Sequence, residues 1–187
     1  MRSSMMLGYI DEEMTMADVE LTMTTEVPVS TQEAWAWSTS LQSVRAEMRP
    51  LLKLVFPKGM TDIGANTMLG KSLGRCQFLL FGLFPVDMSK LTFTEIVPGH
   101  RFVEQSQLLS MHAWRHERVI TPAADGRGAL ITDHLAFSPR FATPVVRAMV
   151  KLLFAHRHKM LARALGAQSQ EIAQNRDRRA RRDRSAW

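Results

Sequence analysis

The chain has 187 residues, of which 45% are hydrophobic and 22% charged, the balance of an ordinary globular protein able to bury one core without staples or metals. Its single cysteine, Cys76, excludes an intramolecular disulfide and fits a reducing compartment. Six arginines against two aspartates in N-R-D-R-R-A-R-R-D-R, residues 175–184, hold +4 of the formal +6, which leaves a nearly neutral body and argues against a nucleic-acid-binding fold.

Residues 1–18 lack an amphipathic period and contain five methionines, so they read as a flexible extension. They also lack the continuous apolar stretch of a signal peptide, and no run in the chain is long enough to span a bilayer, which makes the cytoplasm the expected location. Val19 to Val27 alternates cleanly, with Val19, Leu21, Met23 and Val27 on one side and Glu20, Thr22, Thr24 and Glu26 on the other, as a half-buried strand does. Pro28 ends it, and Ser30-Thr31-Gln32-Glu33 forms a capping box for a helix that turns Ala34, Trp35 and Leu41 inward. That helix breaks near Ser43, and a second short one runs to Arg49 before Pro50.

Leu51 to Gly70 carries little pattern beyond the turn Pro57-Lys58-Gly59 and a possible short strand. From Lys71 to Phe84 the chain is strand-like and very apolar. Leu91 to Val97 and Arg101 to Leu109 continue an antiparallel meander across the turn Pro98-Gly99. Met111 to Ile120 then reads as a strand whose one face carries Trp114, His116, Arg118 and Ile120. After the turn P-A-A-D-G-R-G, Ala129 to Ser138 returns antiparallel with Ile131, Asp133, Leu135 and Phe137 together. If the two faces meet, a carboxylate and an imidazole share an apolar pocket.

Beyond Pro139 the period changes. Thr143-Pro144 is an N-cap with proline at the first helical position. Val146, Met149, Leu153, His156 and Met160 recur at helical spacing, which predicts that Lys151, Arg157, Lys159 and Arg163 face water. The helix stops near Leu165 and Gly166 or continues through Gln174.

One strand, two short helices, a long meander and a last amphipathic helix is the element order of an α+β helix-grip fold. In that arrangement a curved antiparallel sheet wraps a long C-terminal helix. The stretches E-V-P-V-S-T-Q-E-A-W, L-F-G-L-F-P, W-R-H-E-R-V with T-D-H-L-A-F, and L-F-A-H-R-H resemble the SRPBCC superfamily of START-like carriers and polyketide cyclase-like proteins. Many bacterial members carry W-x-H-x-H and D-x-V-x-Y in the paired strands. Here Arg118 replaces the second histidine and Phe137 the tyrosine. The resemblance covers roughly residues 19–170 and implies an apolar cavity of several hundred Å³ between sheet and helix for a hydrophobic or polyketide-like molecule. The domain expectation is therefore an extension over 1–18, a helix-grip domain over 19–174 and a disordered basic tail over 175–187.

His116 and Asp133 are the candidate catalytic pair. Asp133 would fix the imidazole tautomer so that His116 serves as a general acid or base, in the manner of a cofactor-independent cyclase or aromatase; otherwise the pair closes the cavity floor. Arg118 either binds a ligand's carboxylate or carbonyl, or pairs with Glu104 or Glu95. Trp114, Phe137, Phe93, Met149, Leu153 and His156 are the other candidate ligand contacts.

No metal, nucleotide or other cofactor is expected. His112 and His116 lie roughly 13 Å apart on a strand, beyond the reach of a shared metal, and Gly70-Lys71-Ser72 lacks the first glycine and following helix of a phosphate loop. The arginine tail offers at most a weak contact with anionic membrane or RNA, each arginine adding about 1 kcal/mol near an anionic surface.

Overall fold

The computed structural model describes residues 17–64 and 67–184, with side chains through Gln174 other than those of Ile172 and Ala173. The predicted extension therefore lies outside the described residues except for Ala17 and Asp18, as do the side chains of the arginine-rich segment.

Strand β1 (Val19–Val27) leads into helices α1 (Thr31–Thr39) and α2 (Leu41–Met48). The strands β2 (Leu52–Val55), β3 (Ser72–Leu80), β4 (Phe84–Val97), β5 (Arg101–Glu104), β6 (Gln107–Leu108), β7 (Met111–Pro122) and β8 (Ala129–Pro139) follow, and helix α3 (Thr143–Arg184) ends the chain. The sheet runs β1-β8-β7-β5-β4-β3-β2, with β6 beside β4, and its pairs are antiparallel. It curls as a half-barrel against α3, with α1 and α2 between its ends. This is the expected α+β helix-grip fold.

The local chemistry explains the opening elements. Glu33 N–H donates to Ser30 Oγ at 3.2 Å, and the Glu33 carboxylate accepts from Ser30 N–H at 2.9 Å, which closes the capping box. Ser40 ends α1 and caps α2, accepting from Ser43 N–H at 3.4 Å, so the break falls three residues before the expected Ser43.

Two expectations are corrected in the meander. The segment read as Lys71 to Phe84 is a hairpin, with β3 ending at Leu80 and β4 beginning at Phe84; Phe81 at φ 51° and Gly82 at φ 75° turn the chain between them. The strand expected over Arg101 to Leu109 splits into β5 and β6 around Gln105 and Ser106.

The inward phase of α3 also differs. Val150, Phe154, Arg157, His158, Leu161 and Leu165 are buried, whereas Met149 is 55% exposed. The spacing of the methionines predicts Met149 and Met160 inward and Arg157 toward water. The helix is instead rotated by about one residue, because buried carboxylates on α2 and β8 receive Arg157 and His158. Gly166 does not stop it, and its backbone continues to Arg184.

Candidate functional site

The register of the sheet assembles the site. Across β7 and β8, Arg118 lies opposite Asp133, His116 opposite Leu135 and Trp114 opposite Phe137. Across β5 and β7, Glu104 lies opposite His116, and across β4 and β5, Phe93 opposite Glu104. The two candidate rows thus form one concave face, because same-face neighbours on adjacent strands sit about 5 Å apart. His116 is set one row from Asp133 and reaches it on the diagonal.

Asp133 is fully buried and accepts four bonds. His116 Nε2 lies 3.0 Å and Arg118 Nε 2.7 Å from Oδ1, while Arg118 Nη2 lies 2.7 Å and His158 Nε2 3.0 Å from Oδ2. Burial alone would raise the Asp133 carboxyl; the facing Arg118 guanidinium and His116 outweigh it and hold the group well below the usual carboxylate range. Burial likewise works against the Arg118 charge, but Asp133 and Glu47 raise that guanidinium above its ordinary value. An ionised Asp133 makes both imidazoles donors through Nε2. On its other side, His158 Nδ1 shares a hydrogen bond with Thr25 Oγ1, 2.7 Å away.

Glu47 is a second buried carboxylate. It accepts from Trp37 Nε1 at 2.8 Å and Arg157 Nε at 2.6 Å, and lies 3.7 Å from Arg118 Nη1. Arg118 Nη1 also donates to Ser38 Oγ at 3.4 Å. The network ties α1, α2, β7, β8 and α3 together, and its two guanidinium ions balance its two carboxylates.

The cavity lies beside this network. It has a volume of about 190 Å³ and apolar walls from α2, the β2–β5 strands and α3, including Leu41, Val44, Leu54, Leu91, Phe93, Val150 and Phe154. This is smaller than the several hundred Å³ expected, because Phe93, Phe102 and Phe154 all turn inward and pack edge-on with one another or with His116. Glu104, His116 and Arg157 supply polar groups to the wall. His116 Nδ1 faces Glu104 Oε2 at 3.7 Å, and Ser106 Oγ donates to the other Glu104 oxygen at 2.6 Å.

Among the sequence candidates, Trp114, His116, Phe93, Glu104 and Leu153 line the cavity. Asp133 and Arg118 stand behind its wall. Phe137 packs under Trp114, ring centroids 5.7 Å apart. Glu95 pairs with Arg101 rather than Arg118. Met149 points outward, and His156 Nε2 bonds the Arg49 carbonyl at 2.7 Å.

Glu47, Arg157 and His158 were missed. Glu47 follows buried Val44 by three residues on an amphipathic helix, so its inward position was readable; the two on α3 required the correct helix phase. Cys76 also lines the cavity, and burial, with Glu104 adding, pushes its thiol up to about 12, which makes it a poor nucleophile. Among the described residues no group of three His, Cys, Asp or Glu side chains is arranged to hold a metal, and no helix is long and apolar enough to cross a membrane.

A half-barrel gripping a long helix over an apolar cavity, with a buried polar cluster in one wall, defines an SRPBCC-like, START-like fold. Structural relatives agree. CV1439 from Chromobacterium violaceum is 12% identical at a TM-score of 0.61, covering 79% of this chain and 97% of its own. A START superfamily protein from Mycobacterium smegmatis is 11% identical at 0.55, covering 78% and 96%. DynU16, a protein of the dynemicin biosynthetic locus, is 18% identical at 0.53, covering 79% of this chain but 47% of its own. These likenesses establish the fold.

By sequence, the chain belongs to the family described as Domain of unknown function (DUF8410), which matches residues 25–165. No curated protein matches it.

Proposed function

We propose that this protein binds a compact hydrophobic small molecule, of polyketide-like or similar ring character, in the cavity between sheet and α3. The observation that carries the reading is an apolar cavity whose wall includes the His116 imidazole, held at Nε2 by a buried carboxylate. An apolar hole with a few convergent polar groups is how small-molecule sites are built. A volume of about 190 Å³ is comparable to engineered apolar cavities of about 150 Å³ that accept benzene, so the occupant is a small ring system or a short chain. Apolar walls supply affinity, and Glu104 and His116 orient the polar end.

A second reading is supported by the same imidazole. Because Asp133 holds it through Nε2, His116 would exchange a proton through Nδ1, beside Glu104, with a molecule in the cavity as general acid or base, as a cofactor-independent cyclase or aromatase requires. In both readings Arg118 is a positioning residue that holds the Asp133 carboxylate, since its guanidinium lies behind the wall.

The test begins with protein purified from its own host, denaturing extraction of any co-purifying molecule, and assay of that molecule with the parent and His116→Ala. An enzyme loses turnover while affinity stays within about tenfold, roughly 1.4 kcal/mol. For a carrier no turnover is seen, and His116→Ala lowers affinity and stability together. Absence of saturable binding of any compact apolar molecule would reject both readings.

A further inference from the structure

Large apolar side chains exposed to water are concentrated on three segments. The β3–β4 hairpin presents Phe81, Leu83 at 75% exposure, Phe84 and Val86; the turn before β7 presents Leu109; and the start of α3 presents Phe141, Val145, Met149 and Leu152 at 65%. Scattered exposed leucines need no explanation, but a contiguous cluster does.

These segments are neighbours. Pro85, Val86, Leu109 and Phe141 share one surface groove. On the hairpin's other side, Phe81 N–H bonds the Leu51 carbonyl, and His156 of α3 bonds the carbonyl of nearby Arg49. The Arg49–Leu51 segment thus meets both α3, at His156, and the hairpin turn. The cavity reaches the same segments: Val86 of the hairpin and Val150 and Leu153 of α3 line it.

The charge around the patch has one sign. Arg140, Arg147, Lys151 and Lys159 are exposed on the α3 segment, which contains no Asp or Glu from Arg140 to Gln170, and exposed Lys53 lies beside the hairpin turn at Gly82. Asp87, which lines the groove, is engaged by Ser110 Oγ and the Leu109 and Ser110 amides. An apolar ridge flanked by cations matches a bilayer surface, where side chains enter the acyl boundary and arginines and lysines meet anionic headgroups.

We propose that this face, formed by the β3–β4 hairpin and the first three turns of α3, docks on anionic lipid. The docking goes beyond ligand binding and does not require an occupied cavity, so either property can fail while the other stands. The surface is also distinct from the arginine-rich end of α3, which remains unchanged in every variant below.

Co-sedimentation of the full chain with phosphatidylcholine vesicles, with and without phosphatidylglycerol, tests it. Binding is expected to vesicles containing phosphatidylglycerol and to weaken with added salt. The double variants Leu83→Ser/Phe84→Ser and Met149→Ser/Leu152→Ser should each lower partitioning at least tenfold while retaining the parent's circular dichroism and melting temperature. Arg147→Glu/Lys151→Glu should lose binding to anionic vesicles specifically. No vesicle binding, or equal binding by parent and variants, would overturn the proposal. So would a dimer of the parent that these substitutions dissociate, because the face would then be occupied by a second copy.

Discussion

Asp133 is the residue on which the buried network depends. Removing its charge by Asp133→Asn takes the bidentate partner from the buried Arg118 guanidinium and leaves it only the more distant Glu47, and chemical denaturation should report a loss of about 3–5 kcal/mol. The pH dependence follows from the depressed carboxyl. The unfolded chain takes up the Asp133 proton near pH 4, whereas the folded protein does so only at more acid pH. Across that window the unfolded state binds more protons, so this contribution is complete above about pH 4 and is lost as pH falls toward the folded value. Urea midpoints measured from neutral to acid pH should decline on that side, and Asp133→Asn should flatten the decline. Cys76 gives the opposite sign. Its thiol is raised to about 12, so a thiol reagent near pH 8 should label it only after unfolding. The pairing of His116 with Asp133 was legible from alternation in two strands. The strongest partner of Asp133 was not: the sequence leaves Arg118 to a ligand or to Glu104 or Glu95, because it gives which residues share a face but not which cross-strand neighbour wins.

Among the elements, β1, the capping box and the β7–β8 hairpin were legible because each carries a local signal: a period of two, a Ser-x-x-Glu pair, or a glycine-rich turn. Ser30→Ala should cost about 1 kcal/mol by removing the cap. Helix α3 was legible as a helix but not in phase, since apolar residues occur around most of its first turns. Met149 and Leu152 on the outside are as hydrophobic as Val150 and Phe154 on the inside. Two substitutions distinguish the phases by thermal or chemical denaturation. Phe154→Ala should destabilise by about 3–5 kcal/mol, whereas Met149→Ala, at an exposed position, should stay within about 0.5 kcal/mol. A reversal of that order would restore the phase read from the methionines. The hairpin at Phe81–Gly82 was hidden for a related reason: L-F-G-L-F reads as one apolar strand, and only the backbone reveals the turn.

At the scale of the whole molecule, the fold opposes a curled sheet to one helix, and the space between them is incompletely filled. Element order alone made that architecture legible. Cavity size was not, because it depends on three phenylalanines whose inward packing no pattern specifies. Ligand binding requires that space to be a binding site rather than a packing remainder. The most direct measurement is an NMR titration of methyl-labelled protein with indole, a compact apolar probe. Saturable shifts are predicted at Val44, Ile63, Leu91 and Val150, with Val145 and Leu152 on the outer face unmoved. Shifts confined to the outer face, or none that saturate, would contradict it.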